Sequence, residues 1–250
     1  QSPSSAASDV YKRQLSSSRI SDAFNAAENI SEEGTKQDSL EFSLMKARLE
    51  IYYENIPANA LRLFESKYAE NPSDANLYGL ALAYKKNNNF NEGLASLDKL
   101  LEKYPKNLVL NTTKVEFLSY FNKFNDALDL ANKFLEISPK NYPLSISKSQ
   151  ILLNMGQYFE SEEIIRDQLL RKNDSPDLWF MLSETQKTSQ NIVGYHQSRA
   201  EYFLLLGQDE KALNQLEFAL QLTQNNFQVS DRIMTKIIEI KKSLQNSRGL

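Results

Sequence analysis

The chain of 250 residues holds a single histidine, His196, and no cysteine. A zinc-protease centre of the H-E-x-x-H type needs two histidines one helical turn apart and a glutamate base, so this chain cannot form one. A Ser/His/Asp triad would have to use His196, and no G-x-S-x-G turn accompanies it. We therefore expect no catalytic residue and no metal ligand in this chain.

The composition of the chain argues against three further classes of function. Seven glycines and the lack of a G-x-x-x-x-G-K motif leave no loop suited to phosphate, and a net charge of −3 offers no basic surface to nucleic acid. No apolar run approaches the roughly 18 residues that a membrane-spanning helix needs. We predict that this chain has no cofactor, no nucleic-acid partner and no membrane span.

The segment around His196 concentrates polar and aromatic side chains. At helical spacing Gln197 and Glu201 share a face, and Tyr195 is placed to stack on Arg199. Two interpretations stay open. The segment is either a packing network within the protein or a docking surface for a partner domain or peptide.

The helices that carry these residues follow a repeat of about 34 residues. Pro72, Pro105 and Pro139 are spaced 33 and 34 residues apart, and each closes a segment with the same helical pattern. Helical pairs of this period that end in proline are typical of tetratricopeptide (TPR) arrays, whose units bury their apolar faces only by stacking. Arrays of this kind present extended surfaces for binding other proteins.

The repeat predicts four units, each built as a helical pair. They run at about 41–73, 74–105, 108–141 and 142–173. A small residue is expected where the two helices of a pair cross, because a large side chain would push the backbones apart. These small residues are Ala60, Gly93, Ala127 and Ala212.

The C-terminal part departs from this period. Trp179 restarts a first-helix pattern, yet the next strong pair begins near Val193, half a period later. We infer one unpaired helix at about 177–189, which should bend the array or form a pocket there. The apolar stripe after residue 226 predicts a capping helix. The expected fold is an all-α, TPR-type helical-hairpin solenoid of four to five pairs with one unpaired helix and a C-terminal capping helix.

First helices line the inner face of such arrays, so their side chains that point away from the partner helix are candidate ligand contacts. The positions projected onto this face are Met45, Leu49, Tyr52, Tyr78, Leu82, Lys85, Glu116, Tyr120, Gln150, Asn154, Phe180, Glu184, Gln197 and Glu201. The candidate protein-binding residues are Tyr52, Tyr78, Lys85, Glu116, Tyr120, Phe180, His196, Gln197, Arg199 and Glu201. A lining rich in tyrosine suits extended or partly folded polypeptide. The alternative is that these residues are solvated side chains on an unoccupied face.

The segment Tyr195–Phe227 resembles the last repeat of the BepA-type periplasmic metalloproteases. The resemblance rests on Tyr195-His196-Gln197, Arg199-Ala200-Glu201-Tyr202-Phe203, Gly207, Gln215-Leu216 and Asn225-Asn226-Phe227. Upstream, residues 18–23 and 26–28 resemble the tail that joins the protease domain of that family to its repeats.

This resemblance implies a parent zinc metalloprotease of the bacterial periplasm that acts on poorly assembled outer-membrane barrel proteins. The present chain would be its recognition half, in contact with the protease domain in cis, with substrates and with the barrel-assembly machinery. The H-E-x-x-H helix and third zinc ligand of the family have no matching positions here. No catalytic residue is therefore carried over, and zinc would belong to the missing domain.

The domain organisation follows from these patterns. Residues 1–14 resemble adaptor or linker sequence and are interpreted as a non-native leader, residues 15–37 as the joining tail, and residues 38–250 as the TPR array with its capping helix. The leading hypothesis is a protein-binding module that forms the recognition half of a periplasmic quality-control protease. The alternative is a free-standing adaptor or secretion accessory protein with no enzymatic activity.

Overall fold

The structure, a computed structural model, describes residues 39–223 and 225–248. This part of the chain forms twelve helices and no strand. They are α1 (Leu40–Tyr53), α2 (Pro57–Glu70), α3 (Asp74–Lys86), α4 (Phe90–Lys103), α5 (Leu108–Tyr120), α6 (Phe124–Ile137), α7 (Tyr142–Asn154), α8 (Tyr158–Arg171), α9 (Pro176–Thr188), α10 (Ile192–Leu205), α11 (Asp209–Leu222) and α12 (Phe227–Arg248). The predicted all-α solenoid is confirmed. The predicted leader and joining tail lie outside the described residues.

Side-chain caps define where several first helices of the repeat begin. Asn107 and Asn141 precede α5 and α7, and each side-chain oxygen accepts a hydrogen bond from the backbone N–H three residues later, at 3.1 and 3.0 Å. Ser73 caps α3 in the same way. Such caps satisfy an N–H group that has no partner within the helix, so they fix where a first helix begins.

A tight turn joins the two helices of a pair and recurs with the period of the repeat. Asn88, Asn122, Gly156 and Gln190 lie 34 residues apart, and each has a positive φ between 59 and 78°. In each turn the next residue donates its N–H to a carbonyl five residues earlier. This hydrogen bond ends the first helix in the left-handed conformation that such C-terminal caps require.

The same turn appears once more at Gly207, only 17 residues after Gln190. Helix α10 therefore lies between two hairpin turns and packs against both α9 and α11. The hydroxyl of Ser198 on α10 donates to Oε1 of Gln186 on α9 at 2.7 Å. The helix predicted at about 177–189 is α9, but it is not unpaired: α10 packs against α9 as well as against α11.

Close helix packing explains two of the glycines. A Cβ atom at Gly93 would lie 2.6 Å from Cε2 of Phe117, and one at Gly79 would lie 1.9 Å from Cε1 of Phe64. Both phenylalanine rings are buried. The small residue predicted at Gly93 thus makes room for a ring from the following unit, because interiors are packed too tightly to accept a further methyl group.

Helix α12 covers the apolar face of α11. Ile233, Ile237 and Ile240 are buried and pack with Ala212 and Leu216. Of the charged residues beside this stripe, Arg232 and Glu239 are exposed and Lys236 is half-buried. The predicted capping helix is confirmed, with its apolar stripe turned toward the array.

Candidate functional site

Arg48 is the centre of a hydrogen-bond network that joins three first helices. From α1 its Nε donates to the hydroxyl of Tyr78 on α3 at 3.0 Å. Its Nη2 donates to Thr113 Oγ1 and to Glu116 Oε2 on α5, both at 2.9 Å. The Tyr78 hydroxyl and Thr113 Oγ1 are themselves 2.9 Å apart. The network fixes α1, α3 and α5 relative to one another on this face.

Electrostatics keeps Arg48 charged. Burial alone would lower its pKa, but the charges of Tyr78 and Glu116 and their hydrogen bonds outweigh that effect and raise the pKa above its ordinary value. The guanidinium is half-buried and has acceptors on two sides. Charge-assisted bonds of this kind are among the stronger ones in proteins.

Tyr78 corrects one of the predicted contacts. We expected this side chain to face a ligand, but it is 0% exposed and lies beneath the surface. Leu82, one turn further along α3, is also buried. The reason is that the ring fills the space between packed first helices, while the hydroxyl is fully used by Arg48 and Thr113. Tyr78 supports the face but cannot touch what binds to it.

Sequence reasoning missed Arg48. It lies three residues after Met45 and four before Tyr52, which were both projected onto this face. Residues at these spacings share one side of a helix, so the position could have been included. The hydrogen bonds of Arg48 to Tyr78, Thr113 and Glu116 could not have been predicted, because these residues are 30, 65 and 68 positions away along the chain.

Beside this network lies an open cleft of about 450 Å³. It is lined by Arg48, Ile51, Tyr52, Leu82, Lys85, Lys86, Glu116 and Tyr120. The structure thus brings together four of the predicted residues, Tyr52, Lys85, Glu116 and Tyr120. Tyr52 is 73% exposed and Tyr120 is 50% exposed, so both rings are accessible to a partner.

Lys85 and Tyr120 form one wall of this cleft. The Lys85 ammonium lies 5.2 Å from the centre of the Tyr120 ring, within the range of a cation–π contact. The Tyr120 hydroxyl donates to Asn88 Oδ1 at 2.9 Å, which holds the ring in place. Burial lowers the pKa of Lys85; nearby Glu116 raises it and nearby Arg48 lowers it, with a net decrease.

A second, smaller cleft of about 200 Å³ adjoins the first. Arg48 and Glu116 line both, so their ion pair forms the wall between them. The remaining lining is largely apolar. It consists of Met45, Leu108, Val109, Thr112, Asn141 and Pro143.

A different group of predicted residues lies on α9 and α10. The Arg199 guanidinium carbon lies 4.8, 5.1 and 5.3 Å from the ring centres of Phe180, Tyr202 and Phe203. The predicted stacking partner, Tyr195, instead contacts the ring of His196, because the three rings of α9 and α10 already surround Arg199. Phe180 is 38% exposed.

One nitrogen of the Arg199 guanidinium lacks a hydrogen-bond acceptor in the described part of the chain. Its Nη1 is buried and has no hydrogen-bond partner among the described residues. Its ion pair with Glu184 Oε1 spans 3.9 Å, which is too far for a hydrogen bond. The rings and not the acceptors therefore hold this guanidinium.

His196 belongs to the contact between α10 and α11. Its Nδ1 is 2.9 Å from Gln215 Oε1, and its ring centre is 5.5 Å from that of Phe218. Glu201 pairs with Lys236 of α12 at 3.2 Å. Gln197 is half-buried on the same helix. These contacts describe a packing network, one of the two interpretations left open by the sequence.

Neither a metal-binding cluster nor a membrane-spanning helix is present in the described part of the chain, residues 39–223 and 225–248. Across residues 39–223 and 225–248, no group of three or more His, Asp or Glu side chains is placed to hold a metal ion. Within the same ranges, no helix has both the length and the apolar content needed to cross a membrane.

Solved structures resemble this array at low sequence identity. A widely conserved type IV pilus biogenesis factor, PilW, matches with a TM-score of 0.55 and 17% identity over 80% of this chain and 100% of its own. A tetratricopeptide repeat protein from Parabacteroides merdae has a TM-score of 0.49 and 12% identity over 89% and 90%. A TPR protein from Thermus thermophilus has a TM-score of 0.46 and 19% identity over 80% and 100%.

No protein-family model and no curated protein matches the chain. At these low sequence identities, the similarity shows a shared fold and does not extend to function. The helical pairs, their recurrent turn and the match to PilW together show a TPR-type solenoid.

Proposed function

We propose that this chain is a polypeptide-binding module. The observation that carries the proposal is the cleft beside Arg48, where Tyr52 and Tyr120 are exposed on a face formed by first helices. Aromatic side chains with charged neighbours are typical of the residues that dominate protein interfaces.

The support beneath this cleft favours binding without rearrangement. Arg48, Tyr78 and Thr113 fix the helices that carry the exposed tyrosines. A surface that is already ordered loses little conformational entropy when a partner binds. An extended segment could therefore lie across α1, α3 and α5 while the array keeps its structure.

Photo-crosslinking tests this proposal. We would place benzoylphenylalanine at Tyr120 and, as a matched control, at Phe159, which is 71% exposed on the second helix α8. The probe is a purified unfolded polypeptide, reduced and carboxymethylated lactalbumin. We expect adducts from position 120 and few from position 159. Equal yields at both positions, or none at either, would contradict binding at this face.

The finer proposal concerns the parent protein. The resemblance of Tyr195–Phe227 to a BepA-type repeat supports a role as the recognition half of a periplasmic zinc metalloprotease. Outer-membrane barrel proteins and their assembly machinery would then be the partners, with a zinc-bearing protease domain in cis. The coding sequence upstream of residue 15 tests this proposal. It is expected to encode an H-E-x-x-H motif, and a complete reading frame without one would overturn it.

The alternative is a free-standing TPR adaptor or secretion accessory protein with no enzymatic activity. Its support is the similarity in fold to a type IV pilus biogenesis factor, whose solved chain is covered in full. The adaptor hypothesis predicts a native start near residue 15 that follows only a short signal or lipid anchor. The same reading of the coding sequence distinguishes the two.

A further inference from the structure

The cleft beside Arg48 has a local charge opposite to that of the whole chain. Arg48, Lys85 and Lys86 line it together with one carboxylate, Glu116, whereas the chain carries a net charge of −3. Positive charge concentrated in a cleft attracts anionic groups.

Two of these three cations are already engaged by the protein. Arg48 donates to three side chains. The Lys86 ammonium donates to the carbonyl oxygens of Ile51 and Glu54 at the end of α1, with a distance of 2.8 Å to Ile51. Both cations therefore serve the structure of the face, since their hydrogen bonds hold helix ends and neighbouring helices together.

Lys85 differs from the other two. Its ammonium lies over the Tyr120 ring, and no hydrogen-bond acceptor within residues 39–223 and 225–248 reaches it. Glu116, the one carboxylate of the cleft, is bonded to Arg48. A half-buried ammonium has lost water that an incoming anion can replace. The lowered pKa of Lys85, caused first by burial, agrees with this loss of solvation.

The smaller apolar cleft lies on the other side of the Arg48–Glu116 pair. A polypeptide that crosses the pair in extended form advances about 3.3 Å per residue. It can therefore place one side chain near Lys85 and another, a few residues away, between Met45 and Pro143. The apolar lining of the second cleft suits an aliphatic or aromatic side chain.

We propose that this face selects polypeptide segments that carry an acidic side chain for Lys85 and an apolar side chain for the cleft between Met45 and Pro143. The inference rests on the proposed polypeptide-binding function and specifies the chemistry that the segment must carry. The carboxylate accepts a hydrogen bond from the Lys85 ammonium, and the apolar residue is removed from water. A segment with glutamine in place of the acidic residue offers an amide oxygen but no negative charge, so its hydrogen bond to the ammonium is weaker.

Synthetic peptides test this selection. The probes are fluorescent peptides of about ten residues that carry one glutamate and one leucine, two to five residues apart, in a serine and threonine background. Matched peptides carry glutamine in place of glutamate. Fluorescence anisotropy at low salt measures their affinity. We expect at least one glutamate peptide to bind about tenfold tighter than its glutamine counterpart, because two opposite charges form a stronger hydrogen bond than an ammonium and a neutral amide do.

Variants assign the effect to Lys85. Lys85→Gln should abolish the preference for glutamate, and Lys85→Arg should restore most of it. The control is Lys99→Gln, which changes an exposed lysine on α4 and should leave the preference intact. An equal loss in Lys99→Gln would show a general charge effect and overturn the inference.

The remaining outcomes separate this inference from the proposed function. If glutamate and glutamine peptides bind equally well, the selection is refuted while polypeptide binding stands. If affinity follows a free C-terminal carboxylate and ignores the internal glutamate, the selection is refuted in favour of chain ends. If no peptide binds and crosslinking at Tyr120 also fails, both the selection and the proposed function are refuted.

Discussion

Two arginines, Arg48 on α1 and Arg199 on α10, each join helices of the array, and they do so by different means. Arg48 bonds to three side chains at 2.9–3.0 Å. Arg199 is held by three aromatic rings, and its nearest carboxylate is 3.9 Å away. The first region is a hydrogen-bonded support, and the second is a stacked contact with an unsatisfied donor.

This contrast favours the region around Arg48 as the one that binds a partner. Hydrogen bonds from Arg48 on α1 to α3 and α5 hold an open cleft in shape, and the exposed rings of that cleft, Tyr52 and Tyr120, take no part in them. Around Arg199 the rings that hold the guanidinium are the same ones that could meet a ligand. We therefore propose the cleft beside Arg48, and not the region around Arg199, as the binding site.

The largest expected effect is that of Arg48→Ala. It leaves the hydroxyl of Tyr78 and the carboxylate of Glu116 without their main partner, so the free energy of unfolding should fall by about 2 kcal/mol. Urea denaturation followed by circular dichroism measures it. Arg62→Ala is the control, because Arg62 is exposed and donates a hydrogen bond to Asn59 on its own helix. Similar costs for both variants would refute the supporting role of Arg48.

Tyr78→Phe should have a smaller effect on the same network. The ring still fills its buried site, but Nε of Arg48 loses an acceptor, so the expected cost is about 1 kcal/mol. Addition of this variant to Arg48→Ala should cost much less than it does alone, because the two residues share one interaction. Full additivity in urea denaturation would show that the hydrogen bond does not contribute.

Arg199→Met should cost less than about 1 kcal/mol, in contrast to Arg48→Ala. Methionine keeps contact with the rings of Phe180 and Phe203 and removes a buried donor that has no acceptor. What is lost is the attraction between the cation and the rings. Urea denaturation of the two arginine variants side by side gives the comparison, and an equal loss in both would remove the distinction between the regions.

Lys85→Met has the smallest expected effect and gains stability at neutral pH. The pKa of Lys85 is lowered in the folded state, first by burial, so its charged form is less favourable there than in the unfolded chain. That penalty is present below the folded pKa and disappears as pH rises to the unfolded value of about 10.4. The advantage of the variant should therefore shrink between pH 7 and pH 10. An advantage that grows over this range in urea denaturation would contradict the assignment.

The sequence was sufficient to predict the elements that repeat locally. The prolines at 72, 105 and 139 and the apolar stripes predicted the helices and the capping helix, because each signal depends on residues within one or two turns. The recurrent turn was harder to predict at Gln190, because glutamine has little preference for the left-handed conformation that this residue adopts. The shared position of α10 follows from that turn.

The candidate site was only partly predictable for a related reason. Helical spacing placed Tyr52, Lys85 and Tyr120 on one face, and the structure gathers them around one cleft. The same spacing placed Tyr78 there, although it is buried. Burial depends on how neighbouring helices pack, and a single sequence does not specify which side of a first helix the next unit covers.

Amide hydrogen exchange with and without carboxymethylated lactalbumin is the decisive test of the proposed binding face on α1, α3 and α5. If polypeptide binds at the cleft beside Arg48, its addition should slow exchange in segments from α1, α3 and α5 and leave α4 unchanged. Protection confined to α9, α10 and α11, or spread evenly over first and second helices, would contradict the account.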